Sequence, residues 1–283
     1  MTGPVESEVI EKTHPGGGAI RRLGPAFALI AVGLATAVAG EWSFAAIVAV
    51  ASVLMLLEWQ TMTAISRTSP TAVLQSAAAI AAIGLAAADA PQAGLAVIGI
   101  GTIAAGAAAH MAKANIAHAA AGILCIGLPA IAAVWLRAVP EVGLANILWL
   151  YAVVWAGDSG AYAFGRSIEG PRLAPDISPN KTWAGAIGGA VASIAAGIGA
   201  AALLGGFSSI LVVVVVSIVI TVTSQLGDLA ESIFKRSVNV KDSGNLLPGH
   251  GGALDRLDGF LAAVLIAFVI AYLFAGDGPV WIR

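Results

Sequence analysis

The sequence predicts an all-α, polytopic integral membrane protein of about nine transmembrane helices, with its charged loops gathered on the cytoplasmic face. Three observations carry this. Of 283 residues, 59% are hydrophobic and only 11% are charged, with mean hydropathy +0.92, whereas a soluble domain carries about 25% charge. A chain so short of charge cannot cover a water-facing surface, so the bilayer is its solvent. The apolar residues also come in long runs, broken by isolated charges or turn residues. Threaded across a bilayer, those runs sort the lysines and arginines to one side.

Residues 1–22 are polar, with Glu6, Glu8, Glu11, Lys12, Arg21 and Arg22. They read as a cytoplasmic tail rather than a signal peptide, because the apolar stretch after Arg22 leads into further spans without a clear cleavage context. The spans follow at 25–40, 42–57, 71–88, 91–109, 116–136, 142–156, 183–204, 208–226 and 259–275. Only Glu41 interrupts the first pair, which suggests a helical hairpin with the glutamate at its tip. Residues 23–140 form an N-terminal transmembrane region. Residues 141–283 form a second one, with two charged loops at 158–182 and 228–258. Gly185 and Gly189 make a GxxxG step, read as close helix packing.

With the N-terminus inside, the inner side holds Lys12, Arg21, Arg22, Arg67, Lys113, Arg166, Arg172, Lys181, Lys235, Arg236, Lys241 and Arg256. The outer side holds only Arg137 and Arg283, a strong positive-inside bias. A net charge of −2 gives no case for nucleic-acid binding. The single cysteine, Cys125, excludes an intrachain disulfide and a multi-cysteine metal site, and reads as a small buried residue. His110 and His118 flank Lys113 and read as part of a solvated loop. Trp155 and Trp183 read as interfacial anchors at span ends.

Between the two loops, Thr182 to Gly227 contains no charged residue in 46 positions. That is enough for two spans and a tight turn through Gly205 and Gly206. The chain therefore returns to the same face, and the two loops can meet. At the start of the second loop, Asp228 and Glu231 are three apart and Glu231 and Lys235 four apart, so they share a helix face. Ser243 to Gly252 is rich in glycine, proline and asparagine and must be irregular. Asp255 and Asp258 then open the last span, where acids suit a helix N-terminus.

Capping alone would explain the last two acids. The convergence supports more. Asp228, Asp255 and Asp258 could supply hard oxygen ligands to Mg²⁺. Lys235, Arg236, Lys241 and Arg256 could hold phosphate oxygens. Gly251 and Gly252 would let backbone amides approach an anion. Carboxylates, fixed cations and a glycine turn at a membrane surface are the components of phosphoryl or nucleotidyl transfer. A solvated loop with structural ion pairs stands as the alternative on these residues alone.

The run from Ser232-Ile-Phe-Lys-Arg236 through Lys241-Asp-Ser-Gly244 to Pro248-Gly-His-Gly-Gly-Ala-Leu-Asp-Arg-Leu-Asp258 resembles the signature of the phosphatidate cytidylyltransferases over 27 residues. Asp158-Ser-Gly-Ala-Tyr-Ala-Phe-Gly-Arg166 and Ser178-Pro-Asn-Lys-Thr-Trp-Ala-Gly185 resemble two further stretches of that family. Three positions depart from its pattern: Ala253 replaces a larger aliphatic residue, Ala184 a glutamate and Asn180 a lysine. The resemblance is firm over roughly 140–275 and rests on hydropathy alone in the N-terminal half.

The resemblance implies the reaction of CTP with phosphatidic acid to give CDP-diacylglycerol and pyrophosphate. It implies catalytic roles for Asp228, Asp255, Lys235, Arg236, Lys241 and His250. Asp158, Ser178, Lys181, Thr182, Asp242, Gly251, Gly252 and Arg256 would bind substrate. Asp228 and Asp255 would bind Mg²⁺, with Asp258 beside them. A monovalent cation such as K⁺ and a homodimer are also compatible with the family. His250 could donate a proton, contact phosphate or only brace the loop.

Other readings lack their signatures. No GxxxxGK[ST] occurs, so a P-loop kinase is not supported. Gly99-Ile-Gly-Thr-Ile-Ala104 lies within a membrane run without strand–turn–helix context. A CDP-alcohol phosphotransferase would need an acid cluster that is not found. A transporter would need polar residues at mid-membrane and an inverted repeat.

Overall fold

The computed structural model describes residues 30–207, 209–244, 251–274 and 281. Among them stand nine helices. They are α1 (Ile30–Ala39), then α2 (Glu41–Met62), α3 (Pro70–Ala87), α4 (Pro91–Met111), α5 (Ile116–Ala138), α6 (Gly143–Ser167), α7 (Trp183–Leu203), α8 (Ile210–Ser237) and α9 (Leu254–Phe274). A two-stranded antiparallel hairpin, β1 (Arg172–Ala174) and β2 (Ser178–Thr182), joins α6 to α7. Seven helices, all but α1 and α6, are long and apolar enough to cross a membrane. The tail at 1–22 and His250 lie outside the described residues.

The helices start where side chains can satisfy free backbone N–H groups. Ser69 accepts from Ala72 ahead of Pro70, Asn115 accepts from His118, and Thr182 accepts from Gly185. Most spans keep the bounds read from the sequence, but four extend beyond the apolar runs, with α2 continuing past residue 57 to Met62. α6 continues past residue 156 to Ser167, and α8 continues past 226 to Ser237. α9 begins at Leu254, ahead of its run. A helix closes its backbone hydrogen bonds within itself, so it can pass the end of the apolar zone without a penalty. These polar extensions carry the candidate site on helices rather than loops. The loop expected at 158–182 is correspondingly part helix and part hairpin.

Gly40, at φ 124°, breaks α1 from α2 where the hairpin tip was expected. Arg137 ties the two sides together. Its Nε donates to the Ala37 carbonyl at 2.9 Å, and its Nη1 lies 3.9 Å from Glu41. This end of the bundle is opposite the charged loops.

The most intimate pairing is α6 against α7. A Cβ on Gly189 would lie 2.8 Å from the Gly157 carbonyl oxygen, so the GxxxG step serves backbone packing as read. Trp149, Leu150, Val153, Val213, Ile220 and Val264 form the core of the second half. Another cluster of Ile83, Ile98, Ile123 and Ile131 fills the first half. A third, with Leu56, Trp59, Ile126 and Leu254, joins the halves. Buried glutamines are paired: Gln60 Nε2 donates to Gln75 Oε1 at 3.2 Å, and Gln75 Nε2 to the Ala119 carbonyl at 2.7 Å.

The outward faces carry apolar residues such as Ile103, Met111 and Leu203, as contact with lipid requires. Cys125 corrects an expectation, because it is exposed on α5 rather than buried. An apolar run does not distinguish the inward face of a membrane helix from its lipid face. Trp155 is half-buried and stacks on Tyr151, one turn earlier on the same helix, at 4.7 Å. Trp183 is half exposed, as an anchor should be.

The alternation of helices places Lys113 and Glu141 at opposite ends of α5. With Cys125 replaced by alanine, single cysteines at 113 and 141 should react with an impermeant maleimide from opposite sides of sealed vesicles. Labelling from the same side would contradict this fold.

Candidate functional site

The tail of α8 presents Asp228, Glu231, Ser232 and Lys235 at helical spacing, and the first turns of α9 present Asp255 and Asp258. Lys235 joins the two helices. Its Nζ lies 2.6 Å from Glu231 Oε2 and 2.6 Å from Asp255 Oδ1, with all three side chains largely buried.

Asp255 in turn organises the loop between the helices. The Ser243 N–H donates to its Oδ1 at 3.1 Å and its Oδ2 at 2.9 Å, and the Gly252 N–H donates to Oδ2 at 2.8 Å. Both oxygens are therefore engaged. This differs from the metal triad expected of Asp228, Asp255 and Asp258. Among the described residues, no three histidine, cysteine, aspartate or glutamate side chains converge closely enough to hold a metal ion. The anion that the glycine turn approaches is the chain's own Asp255 carboxylate. Gly251, at φ 82°, takes a backbone conformation that L side chains rarely adopt.

Asp228 lies at a separate focus. Lys181 from β2 places Nζ 2.7 Å from its Oδ2, and Ser232 donates to its Oδ1 at 3.4 Å. Asp158 and Asp258 both experience the Asp228 charge, and Lys181 also acts on Asp158. Asp258 Oδ1 accepts the Gly259 N–H at 2.7 Å. Nearby, Glu231 Oε1 is buried without a hydrogen-bond partner. Several carboxylates around one lysine leave an excess of negative charge and unused hard oxygen donors. That donor chemistry suits a divalent cation.

An open cleft of about 500 Å³ adjoins Lys235. β2 lines it with Ser178, Pro179 and Asn180; α8 with Ser232, Lys235 and Arg236; the chain beyond with Lys241 and Asp242. The two charged segments separated by 46 uncharged residues do meet, as their spacing suggested. Arg236, Lys241 and Asp242 are exposed at the cleft. The size lies within the range of small-molecule sites. Thr182 is less available, since its buried hydroxyl caps α7. Arg256 is exposed on the first turn of α9.

Two participants were not identified from the sequence. Glu58 on α2 accepts the N–H groups of Ala253 and Leu254, and Ser243 donates its hydroxyl to the same carboxylate. The signal for Glu58 is a lone acid at the very end of an apolar run, since ionised groups in membrane helices seldom lack a role. Ser243 stands in the irregular glycine-, proline- and asparagine-rich stretch, where its hydroxyl gives no pattern.

Residues 20–274 match the model of the cytidylyltransferase family. The chain is 47% identical over 159 residues to the phosphatidate cytidylyltransferase of Brucella suis, covering 55% of this chain and 57% of that protein. It is 48% identical over 119 residues to the Staphylococcus haemolyticus protein of the same name, covering 42% and 46%. The Haemophilus influenzae protein of that name is 43% identical over 129 residues, covering 44% and 45%. The chain thus spans about half the length of the curated relatives it matches.

Replacing Lys235 with methionine would leave Glu231 and Asp255 facing each other without their shared cation. Lys235→Met should lower unfolding free energy in detergent by about 3 kcal/mol. Lys241→Met, at an exposed position, should stay within about 0.5 kcal/mol.

Proposed function

Because the chain belongs to the cytidylyltransferase family, we propose that it transfers the cytidylyl group of CTP to phosphatidic acid, giving CDP-diacylglycerol and pyrophosphate. The observation that carries this reading is the meeting of β2 and the α8 tail around one cleft with cations at its rim and a carboxylate group beside it. In this reaction a phosphate oxygen of the lipid attacks the α-phosphorus of CTP. The bond from that phosphorus to the β-phosphate bridging oxygen breaks, and pyrophosphate leaves. The nucleophile is already anionic near neutral pH, so no strong general base is required. The task is to bring two polyanions together and to stabilise charge on the leaving group.

Arg236 and Lys241, exposed in the cleft, supply fixed positive charge to the triphosphate. Lys235 adds its charge at the cleft wall while holding Asp255. Ser178, Asn180 and Asp242 line the same space and offer polar contacts to the nucleotide or lipid headgroup. Asn180 is neutral where the resembling family has lysine, which leaves more of the charge on Arg236 and Lys241. Asp228 and Asp258 would hold Mg²⁺ only together with phosphate oxygens of the substrate, since no three described carboxylates converge on one point, and the ion would supply Lewis-acid stabilisation of those oxygens. Lys181 pairs with Asp228 and orients that carboxylate from the neighbouring segment. Asp255 keeps its place in the reading as the residue that fixes the loop carrying Lys241, Asp242, Gly251 and Gly252. Among the described residues no feature assigns a K⁺ site.

The site faces the cytoplasm in this reading. Arg67, Lys113, Arg166, Arg172, Lys181, Lys235, Arg236, Lys241 and Arg256 lie at its end of the bundle, while Arg137 is at the other. An enzyme of the inner membrane placed this way meets CTP from the cytosol and its lipid within the inner leaflet.

Detergent-solubilised protein given CTP, Mg²⁺ and phosphatidic acid should release pyrophosphate and form CDP-lipid in equal amounts. Chelating the divalent cation should stop both products. Asp228→Asn should lower kcat by about 10²-fold or more while extracting and migrating normally. Absence of both products from the unmodified protein would overturn the reading, and unchanged turnover in Asp228→Asn would overturn the metal assignment.

A further inference from the structure

We propose that Glu58, far from the signature segments in sequence, is a positioning residue that sets the geometry of the nucleotide loop. Its side chain comes from the last turns of α2, and the residue is 3% exposed. It accepts the Ala253 N–H at 2.8 Å through Oε1, and the Leu254 N–H at 2.9 Å through Oε2. Those are among the free N–H groups at the start of α9, so a side chain 195 positions away serves as that helix's cap. A negative side chain at a helix N-terminus also matches the dipole.

The same carboxylate reaches the other side of the loop. Ser243 donates its hydroxyl to Glu58 Oε2 at 3.1 Å and accepts the Asp255 N–H at 3.4 Å. Glu58 and Asp255 therefore both hold Ser243 on one flank and the backbone at 252–254 on the other. The backbone is shaped for this. A Cβ on Gly252 would lie 2.5 Å from Glu58 Oε2 and would collide with the Ser243 hydroxyl, and one on Gly244 would lie 3.0 Å from the Glu58 side chain. The neighbouring residue adds a second hold on the site: Trp59 stacks on Phe234 of α8 at 4.2 Å and 3°. One turn of α2 thus touches both helices that carry the candidate site.

Three donors converge on Glu58, and the inference follows from their sign. In Glu58→Gln an amide NH₂ replaces one acceptor oxygen and must face at least one backbone N–H, that of Ala253 or that of Leu254. The loop then loses its common anchor while the apolar packing of α2 stays. Lys241 and Asp242 stand immediately before Ser243, so loss of the anchor displaces groups that line the cleft. The lipid-facing helices are untouched.

The effect on kinetics rests on the proposed cytidylyl transfer, and the loop itself can be followed without it. In Glu58→Gln, amide hydrogen exchange in peptides covering 243–255 should accelerate about tenfold or more, with α6 and α7 unchanged. In turnover, kcat/KM for CTP should fall about 10- to 100-fold, while KM for phosphatidic acid changes less than about twofold. Gly252→Ala, which pushes on the same carboxylate from the loop side, should reproduce both effects. The double variant should be no worse than the worse single one. Unchanged exchange in the loop, exchange raised uniformly across the protein, equal losses for both substrates, or additive effects of the two substitutions would each overturn the role. An unmodified protein that does not consume CTP would overturn the reaction instead, while the exchange and double-variant results would still decide the role of Glu58.

Discussion

Lys235 lies within 2.6 Å of carboxylates on two different helices, and the organisation of the charged end follows from that contact. Glu231 shares its helix, but Asp255 belongs to α9. The cation therefore fastens the two helices at the point where the irregular segment leaves one and enters the other. At a separation near 4 Å and an effective dielectric of 20, each pairing is of order 4 kcal/mol before desolvation. Much of that offsets the cost of removing three charges from water. What remains is directional. Asp255 is held so that its second oxygen meets the Ser243 and Gly252 amides.

This divides the ionised groups into two sets with different duties. Lys235, Asp255, Glu231 and Glu58 are turned inward and define shape. Arg236 and Lys241 are exposed at the cleft. Asp158, Asp228 and Asp258, with Lys181, form the second focus from four different elements. In the proposed reaction such a division is useful. A site built to attract polyanions would repel itself if its cations had no acidic partners. A site with every charge paired could not hold a triphosphate. Keeping the shape-forming pairs buried and the substrate-facing cations exposed satisfies both demands.

Much of this was legible in the sequence for physical reasons. Bilayer thickness forces long apolar runs, so the helices from Pro70 to Ala138 appear almost residue for residue. The uncharged stretch after Thr182 required a return to the same face, and Lys181 does meet Asp228. The ends of α6 and α8 were less visible, because hydropathy marks where lipid ends and not where a helix ends. The β1–β2 hairpin is too short, and too mixed in polarity, to give an alternating pattern. The role of Asp255 is ambiguous in the sequence for a related reason. A carboxylate at a helix start can bind metal, cap a helix or close a loop, and spacing does not separate these. Glu58 was hidden because its partners are other residues' backbone N–H groups, which leave no trace in a sequence pattern.

In the proposed reaction β2 and the α8 tail form one nucleotide site. A photoreactive azido analogue of CTP, bound to the detergent-solubilised protein and illuminated, tests it most directly. Mapped by mass spectrometry, the adducts should fall both in 177–182 and in 232–242, and excess CTP should remove them from both. Adducts confined to one segment, or adducts that CTP does not displace, would contradict the account.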